Sequence, residues 1–314
     1  MAAYFVRRLS IAVPTLFAII ALSFMLVRAA PGGPFDEEAA LEPQVLENLR
    51  EAYHLNEPLY RQFLIYLGNI ARGDFGPSMI YKDFSVNELL ASGLPVSASL
   101  GLKAVILAAL AGGFLGIVGA LKQNSLVDYG VMSVAMSGIV IPNFVLAPLL
   151  TLVFGIYLKE LPWVGQYLGL PVSGWGGLEH QLLPVIALAL PQIAIISRLT
   201  RASMIEVLRS DFVRAARLKG LSRSRVVTRH ALRAALLPVV SYLGPAVAGV
   251  VTGSLVIEQV FDLPGIGRYF AQAAINRDYP LVMGVVIVYA AVVIFLNLLV
   301  DLLYGALDPR VRLR

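Results

Sequence analysis

The sequence predicts an all-α integral membrane protein with six transmembrane helices and both termini in the cytoplasm. Three observations carry this reading. Apolar residues make up 58% of the 314 positions and charged residues only 14%; the mean hydropathy is +0.77; and six stretches are apolar over the length that a helix needs to cross a bilayer core, about 20 residues for about 30 Å. So few solvating side chains exclude a soluble globule of this size. Cysteine is absent, which excludes disulfides and any thiolate nucleophile, redox centre or metal ligand. The net charge of +5 comes from basic residues placed beside apolar spans, where they set topology and meet anionic headgroups; it does not describe a face for nucleic acid.

The first span covers residues 9–27. Its apolar run is longer than a signal-peptide core and no small-residue cleavage site precedes Pro31-Gly32-Gly33-Pro34, so it reads as retained. The next spans are expected at residues 97–121, 129–158, 182–196, 237–260 and 281–307. The fourth is short and carries Pro184 and Pro191, but its helix can continue through residues 197–208 as a cytoplasmic extension.

Basic residues near span ends fix the sides. Arg7 and Arg8 precede the first span, Lys122 lies between the second and third, and Arg310, Arg312 and Arg314 follow the sixth. Between the fourth and fifth, residues 198–233 hold ten basic side chains against Glu206 and Asp211, which places that loop in the cytoplasm. Residues 28–95 carry five basic and ten acidic residues and belong outside. This outer segment has helical signals of its own: residues 43–50 open on Pro43, and residues 59–70 space their apolar side chains at helical intervals. Trp163, Tyr167 and Trp175 suit an aromatic belt at the outer headgroups. The expected organisation is an N-terminal helix (residues 1–28), an extracytoplasmic segment with short helices (29–96) and a five-helix core (97–314) containing the cytoplasmic loop 198–236.

Catalytic constellations are missing. The sequence has no Gly-Lys dipeptide and hence no P-loop, no H-E-x-x-H and no G-x-S-x-G. His54, His180 and His230 fall on separate loops on both sides of the membrane, so no shared metal site is expected. Asp74-Phe75-Gly76 matches a kinase triplet without any companion motif. Ionisable residues within spans are costly and therefore candidates. Lys103 is expected to snorkel at the outer end of span two, Glu258 to meet substrate, Arg268 or Arg277, and Asp301 to pair with a cytoplasmic arginine.

Within residues 210–222 the basic loop carries a short helix of about two turns, with Ser210 or Asp211 as N-cap and Gly220 as the left-handed residue that ends it. Phe212, Ala215 and Ala216 fall at i, i+3 and i+4 and form a small apolar face, flanked by Arg214 and Arg217. Beyond it Arg225, Arg229 and Arg233 recur every four residues, as on a straight lever entering span five before Pro238. An interfacial helix held by anionic lipid is the competing reading of the same pattern.

The run Arg214-Ala215-Ala216 followed by Gly220 resembles the "EAA" loop of permease subunits of binding-protein-dependent ABC importers. Arg214 stands in place of the glutamate and the loop proline, Pro238, lies further on; both departures are similar to the peptide and nickel branch. The likeness extends through Pro14-Thr15-Leu16, Ala30-Pro31-Gly32, Tyr53-His54-Leu55-Asn56-Glu57-Pro58, Gly73-Asp74-Phe75-Gly76-Pro77-Ser78, Ala120-Leu121-Lys122-Gln123-Asn124 and Leu263-Pro264-Gly265-Ile266-Gly267. This ordered set looks most like the B-type permeases of oligopeptide importers. The resemblance implies a type I ABC importer permease fold in the cell inner membrane, forming half of a peptide pathway. It also implies a homologous C-type permease, two cytoplasmic ATPases and an extracytoplasmic peptide-binding protein as partners. ATP and Mg²⁺ would then sit on the ATPases, and this chain would have no cofactor and no catalytic residue of its own. By position, Asp211, Phe212, Arg214, Ala215, Ala216, Arg217, Gly220 and Leu221 would dock an ATPase. Glu258, Phe261, Leu263, Pro264 and Gly265, where Pro and Gly break an apolar span, are expected to belong to an outer gate. A dipeptide or nickel importer of the same family is the closer alternative. A proton-coupled carrier or an intramembrane hydrolase needs midplane acids or a nucleophile–base pair that the spans do not show.

Overall fold

An amide facing lipid has no water to bond, so an apolar chain satisfies its own backbone by winding into helix. The computed structural model describes residues 2–29, 44, 47, 55–81, 83–161 and 169–307, with side chains undescribed at 2–7, 252 and 301–307. Its helices are α1 (Ala2–Ala29), α2 (Leu59–Ala71), α3 (Val86–Leu121), α4 (Leu126–Val140), α5 (Asn143–Glu160), α6 (Leu178–Leu208), α7 (Asp211–Leu218), α8 (Arg223–Ala235), α9 (Leu237–Val260), α10 (Ile266–Ile275) and α11 (Tyr279–Leu307). Among the described residues five helices are long and apolar enough to cross a membrane, and six if α8 and α9, bent by 48° at their junction, count as one span. The only β pairing among them is the isolated bridge between Pro77 and Ser85.

Three boundaries differ from the sequence expectation. The second span starts eleven residues early, because Ser85 and Glu88 form a reciprocal capping box. The resulting 36-residue helix, about 54 Å long at 1.5 Å per residue, overshoots the hydrocarbon layer. The expected single span over residues 129–158 is two helices: Ile141 is extended before Pro142, which opens the next helix, since proline disfavours helical geometry in the residue before it. The expected straight lever is also broken. Val226–Ala231 is wound as a π-helical turn, so the buried positions run Val226, Ala231, Ala235, Val239 with one spacing of five, and the chain bends before Pro238.

The continuation of the fourth span into a cytoplasmic helix is as expected: α6 runs unbroken through Pro184 and Pro191 to Leu208. Though shortest in apolar sequence, it is the central element, packed against α3, α4, α5 and α9. Leu183, Leu188 and Ile196 on α6 meet Leu100, Ala104 and Ala108 on α3 and Ile257, Phe261 and Leu263 near the end of α9. The α3–α6 contact is close because α3 presents glycine to it. A Cβ at Gly116 would lie 2.5 Å from the Ser197 carbonyl oxygen and 2.6 Å from Thr200 Cβ. By contrast α1 is peripheral, meeting α11 and, through Phe17 and Phe24, Phe63 of α2.

Residues 59–70 form the expected outer helix as α2. The 30–32 exit, the 43–50 helix start apart from Gln44 and Glu47, Tyr53, His54, Trp163, Tyr167, Arg310, Arg312 and Arg314 lie outside the described residues, as do the side chains of Arg7 and Asp301.

Gly116→Val forces α3 away from α6. It is expected to destabilise the folded chain by about 1–3 kcal/mol, as overpacking does elsewhere, and to lower its thermal midpoint in detergent, whereas Gly113→Ala, where a Cβ meets nothing, leaves the midpoint unchanged.

Candidate functional site

The basic loop folds as a helical bracket on the end of α6. Arg209 ends α6, Ser210 is extended, and α7 begins at Asp211. Ser210 holds the N-cap position without capping; its hydroxyl donates back to the Val207 carbonyl at 2.6 Å. Gly220, at φ +78°, closes the other end in the left-handed region as the sequence predicts. Leu221 turns inward, packed against the small apolar cluster below α7.

The apolar face of α7 is divided rather than single. Val213 and Ala216 are buried against Ala120 of α3, Met204 of α6 and Val226, Ala231 and Ala235 of α8. Phe212 and Leu218 are half or more exposed, with Ala215 between them. The sequence grouping of Phe212 with Ala215 and Ala216 therefore separates: Ala216 attaches the helix, while Phe212 and Ala215 face away with Arg214 and Arg217 beside them. Leu218 extends that outer stripe at i+3 from Ala215, a spacing visible in the sequence once the inner face is known.

Beneath this bracket lies a pair that sequence reasoning missed. Asp128, 1% exposed, accepts from Arg201 Nε at 2.7 Å and from Arg201 Nη2 at 2.6 Å. The same carboxylate accepts from the Asn124 amide at 2.9 Å and so fixes the tight turn between α3 and α4, where Asn124 has φ +61°. A bidentate fork of this kind holds orientation as well as distance. It ties α4 to α6 two turns before α6 delivers the chain to α7, and Arg209 adds a bond to Gln123 at 3.1 Å. Arg201 reads in sequence as one of ten topology charges; nothing local marks its partner 73 residues away.

The outer break in the last third of the chain is equally organised. α9 ends at Val260, Phe261 and Leu263 are buried in the main core, Asp262 takes φ +53°, and α10 begins after Gly265. Glu258 is fully buried and its Oε2 accepts from the Gly267 amide at 2.7 Å, with the Arg268 amide also directed to the carboxylate; Ser97 Oγ accepts from the Ile266 amide at 3.0 Å. The carboxylate therefore sits on the positive end of α10. The expected guanidinium partner for Glu258 is not what Arg268 supplies, since its side chain pairs with Asp262 at 2.9 Å. A side chain at Gly265 would collide with Glu258 Oε2 and Ser97 Oγ. Further out, buried Asp278 accepts from Ser78 and from the Leu281 amide at 3.2 Å, joining the 73–85 loop to the start of α11. Burial raises the Tyr81 phenol above its ordinary value, and it donates to Gln272 on α10. Lys103 does not snorkel freely: it donates to Gln181 on α6.

No cluster of three metal-ligating side chains occurs among the described residues. The geometry presents two organised breaks, one after the C-terminal end of α6 and one after the C-terminal end of α9.

Residues 112–313 match the family of binding-protein-dependent transport system inner membrane components. The chain is 51% identical over 314 residues to the oligopeptide transport system permease protein OppB of Salmonella typhimurium, covering 99% of this chain and 100% of that one. It is 44% identical to the dipeptide transport system permease protein DppB of Bacillus subtilis, covering 100% and 99%. Among solved structures it resembles the inward-facing MetNI methionine ABC transporter, with a TM-score of 0.56 at 15% identity, over 70% of this chain and 96% of that one.

Removing Arg201 strands the buried Asp128 carboxylate, whereas removing Asp128 leaves an Arg201 guanidinium that is 27% exposed without its bidentate acceptor. Asp128→Leu is expected to cost about 1–3 kcal/mol, and adding Arg201→Met to it to recover part of the loss. Thermal unfolding of Asp128→Leu, Arg201→Met and the double variant in one detergent measures this; additive losses would show that the pair is not coupled.

Proposed function

The chain belongs to the family of binding-protein-dependent transport system inner membrane components and is a multi-pass inner-membrane subunit of a transport complex; on that premise we propose that it carries oligopeptides through half of a shared pathway and takes its drive from cytoplasmic ATPases at α7. The partners in this reading are a homologous C-type permease, two ATPases that bind ATP and Mg²⁺, and an extracytoplasmic peptide-binding protein. This polypeptide then has no cofactor and no catalytic residue of its own.

The observation that carries the coupling role is the division of α7. A helix of eight residues is too short to be stable alone, yet Val213 and Ala216 anchor it on α6 and α8 while Phe212, Ala215 and Leu218 are left facing away. Asp211, Arg214, Arg217 and Gly220 border that stripe, and Leu221 braces it from within. Small residues between two larger apolar ones let a concave partner approach the backbone closely. Displacement of α7 reaches α6 through Ser210 and α4 through the Arg201–Asp128 fork, two turns away.

At the outer face, Glu258, Phe261, Leu263, Pro264 and Gly265 form a seam between α9 and α10 that suits a gate. Its backbone is irregular but covered by protein, as a break at this depth must be. Oligopeptide over dipeptide rests on the higher identity to the oligopeptide permease, and nickel remains the test's third arm.

Ala215→Asp and Phe212→Ser touch only exposed positions, so the thermal midpoint is expected to stay unchanged. In proteoliposomes with the partner subunits, peptide uptake should fall about tenfold or more, the loss expected of an interface hot spot. Undiminished uptake in both removes α7 as the docking helix. Ala216→Asp, by contrast, buries a carboxylate in the anchor and should lose the fold itself.

Gly265→Ala drives a methyl into the Glu258–Ser97 seam. Stimulation of ATP hydrolysis by loaded binding protein should fall while basal hydrolysis persists; unchanged stimulation by di-, tetra- and longer peptides would leave the seam without a gating role. Stimulation by nickel alone would replace peptide as the cargo.

A further inference from the structure

The cytoplasmic side presents a second exposed stripe, on α8. One face of this helix is buried: Val226, Ala231 and Ala235 close the cluster that also holds Val213 and Ala216 of α7 and Met204 of α6. Arg225, Arg229 and Arg233 are exposed on the face turned away from it. On a regular α-helix a four-residue repeat drifts by about 40° at each step, because four residues make more than one turn. The turn over Val226–Ala231 is wound wider, as i→i+5 bonding requires, and takes that drift back. The winding that breaks a straight lever thus sets the three arginines in one line, about 6 Å apart along the axis.

No side chain among the described residues answers this line with an ion pair or a hydrogen bond. The chain has no acidic residue between Asp211 and Glu258; Asp211 lies beside Arg214 at 3.7 Å, and Glu258 is at the outer end of α9. Depth supplies the partner. Arg233 comes just before Leu237, where α9 enters the apolar layer, and α8 is inclined at 48° to α9. Measured along the α9 axis, Arg233 lies about 4 Å and Arg229 about 8 Å below that entry, which is the layer that headgroups occupy, about 5–8 Å on each side of the hydrocarbon. Arg225, about 12 Å below it, is still within a Debye length of the headgroups. Guanidinium groups pair bidentately with phosphate. α7 packs on the π turn itself, so its outer stripe of Phe212, Ala215 and Leu218 and the α8 arginines look away from the shared cluster on different sides, and a partner seated on α7 leaves the arginines open.

We propose that the arginine line of α8 binds anionic phospholipid headgroups of the cytoplasmic leaflet, with Arg229 and Arg233 bracketing one phosphate and Arg225 drawing negative charge toward the pair. Protein docking and lipid binding, which compete as readings of the basic loop as a whole, then belong to different helices: α7 is left for a protein partner and α8 is held at the membrane surface by lipid.

The test uses the full chain in micelles of an uncharged detergent, titrated with phosphatidylglycerol or phosphatidylcholine and read by native mass spectrometry. The wild type is expected to bind phosphatidylglycerol in preference to phosphatidylcholine. Arg225→Gln, Arg229→Gln and Arg233→Gln, singly and combined, should weaken phosphatidylglycerol by about fivefold for each arginine removed and leave phosphatidylcholine unchanged. These positions are exposed and the other basic residues of 198–233 stay in place, so the lipid-free thermal midpoint should match the wild type. Arg214→Gln, Arg217→Gln and Lys219→Gln together remove the same charge from α7 and its end, and should leave phosphatidylglycerol binding as it was. Undiminished binding in the combined α8 variant overturns the site. An equal loss in the α7 variant overturns it too, because the attraction is then the diffuse field of the loop. Displacement of the lipid by equimolar inorganic phosphate would assign the line to a free anion. Loss of co-purifying ATPase subunits from the α8 variant, with lipid binding unchanged, would assign it to the ATPase. None of these readouts depends on transport.

Discussion

Inside a hydrocarbon layer no backbone amide or carbonyl can turn to water, and this single requirement decides where the chain is allowed to bend. The breaks before α10 and before α11 are covered from within. At Asp262 the chain turns out of helix, and the amides that begin α10 are met by Ser97 from α3 and Glu258 from α9. The start of α11 is met by Asp278, itself tied to the 73–85 loop. A carboxylate that looks expensive as a lone charge in a span becomes, in place, the cap of a neighbouring helix.

The same economy of partners organises the cytoplasmic side. α6 is the spine: glycines on α3 let it approach closely, the Arg201–Asp128 fork fixes its angle to α4, and α7 hangs from its end on Val213 and Ala216. Because α8 is wound through a π turn and bent by 48° from α9, the chain from α7 to α9 is not one straight helix. A straight i+4 lever would have joined α7 to α9 instead.

How much of this was legible depends on range. Local signals are legible: most of the apolar runs, the left-handed Gly220, the outer helix over residues 59–70 and the extension of α6. Pro142 was equally local, yet a stretch that remained apolar on both sides of it hid the break between α4 and α5. What could not be read was pairing across the fold. Arg201 was one basic residue in a basic loop, and Asp128 an acid beside a turn. Glu258 pointed in sequence toward nearby arginines, but packing of α10 placed amides, not the Arg268 side chain, against it. Ala216 and Ala215 are chemically identical neighbours; only the cluster beneath α7 decides which one is anchored and which one is free.

The sequence by itself determined that the chain lives in a membrane, how many apolar spans it has and where a basic loop carries a capped helix, because these follow from composition, span length and nearest-neighbour backbone preferences. Tertiary structure alone decided which charges are buried in pairs or caps, which side of α7 faces outward and which helix is central. Those outcomes depend on close approach between segments tens to hundreds of residues apart, and hydrophobic periodicity along one segment carries no information about its partner.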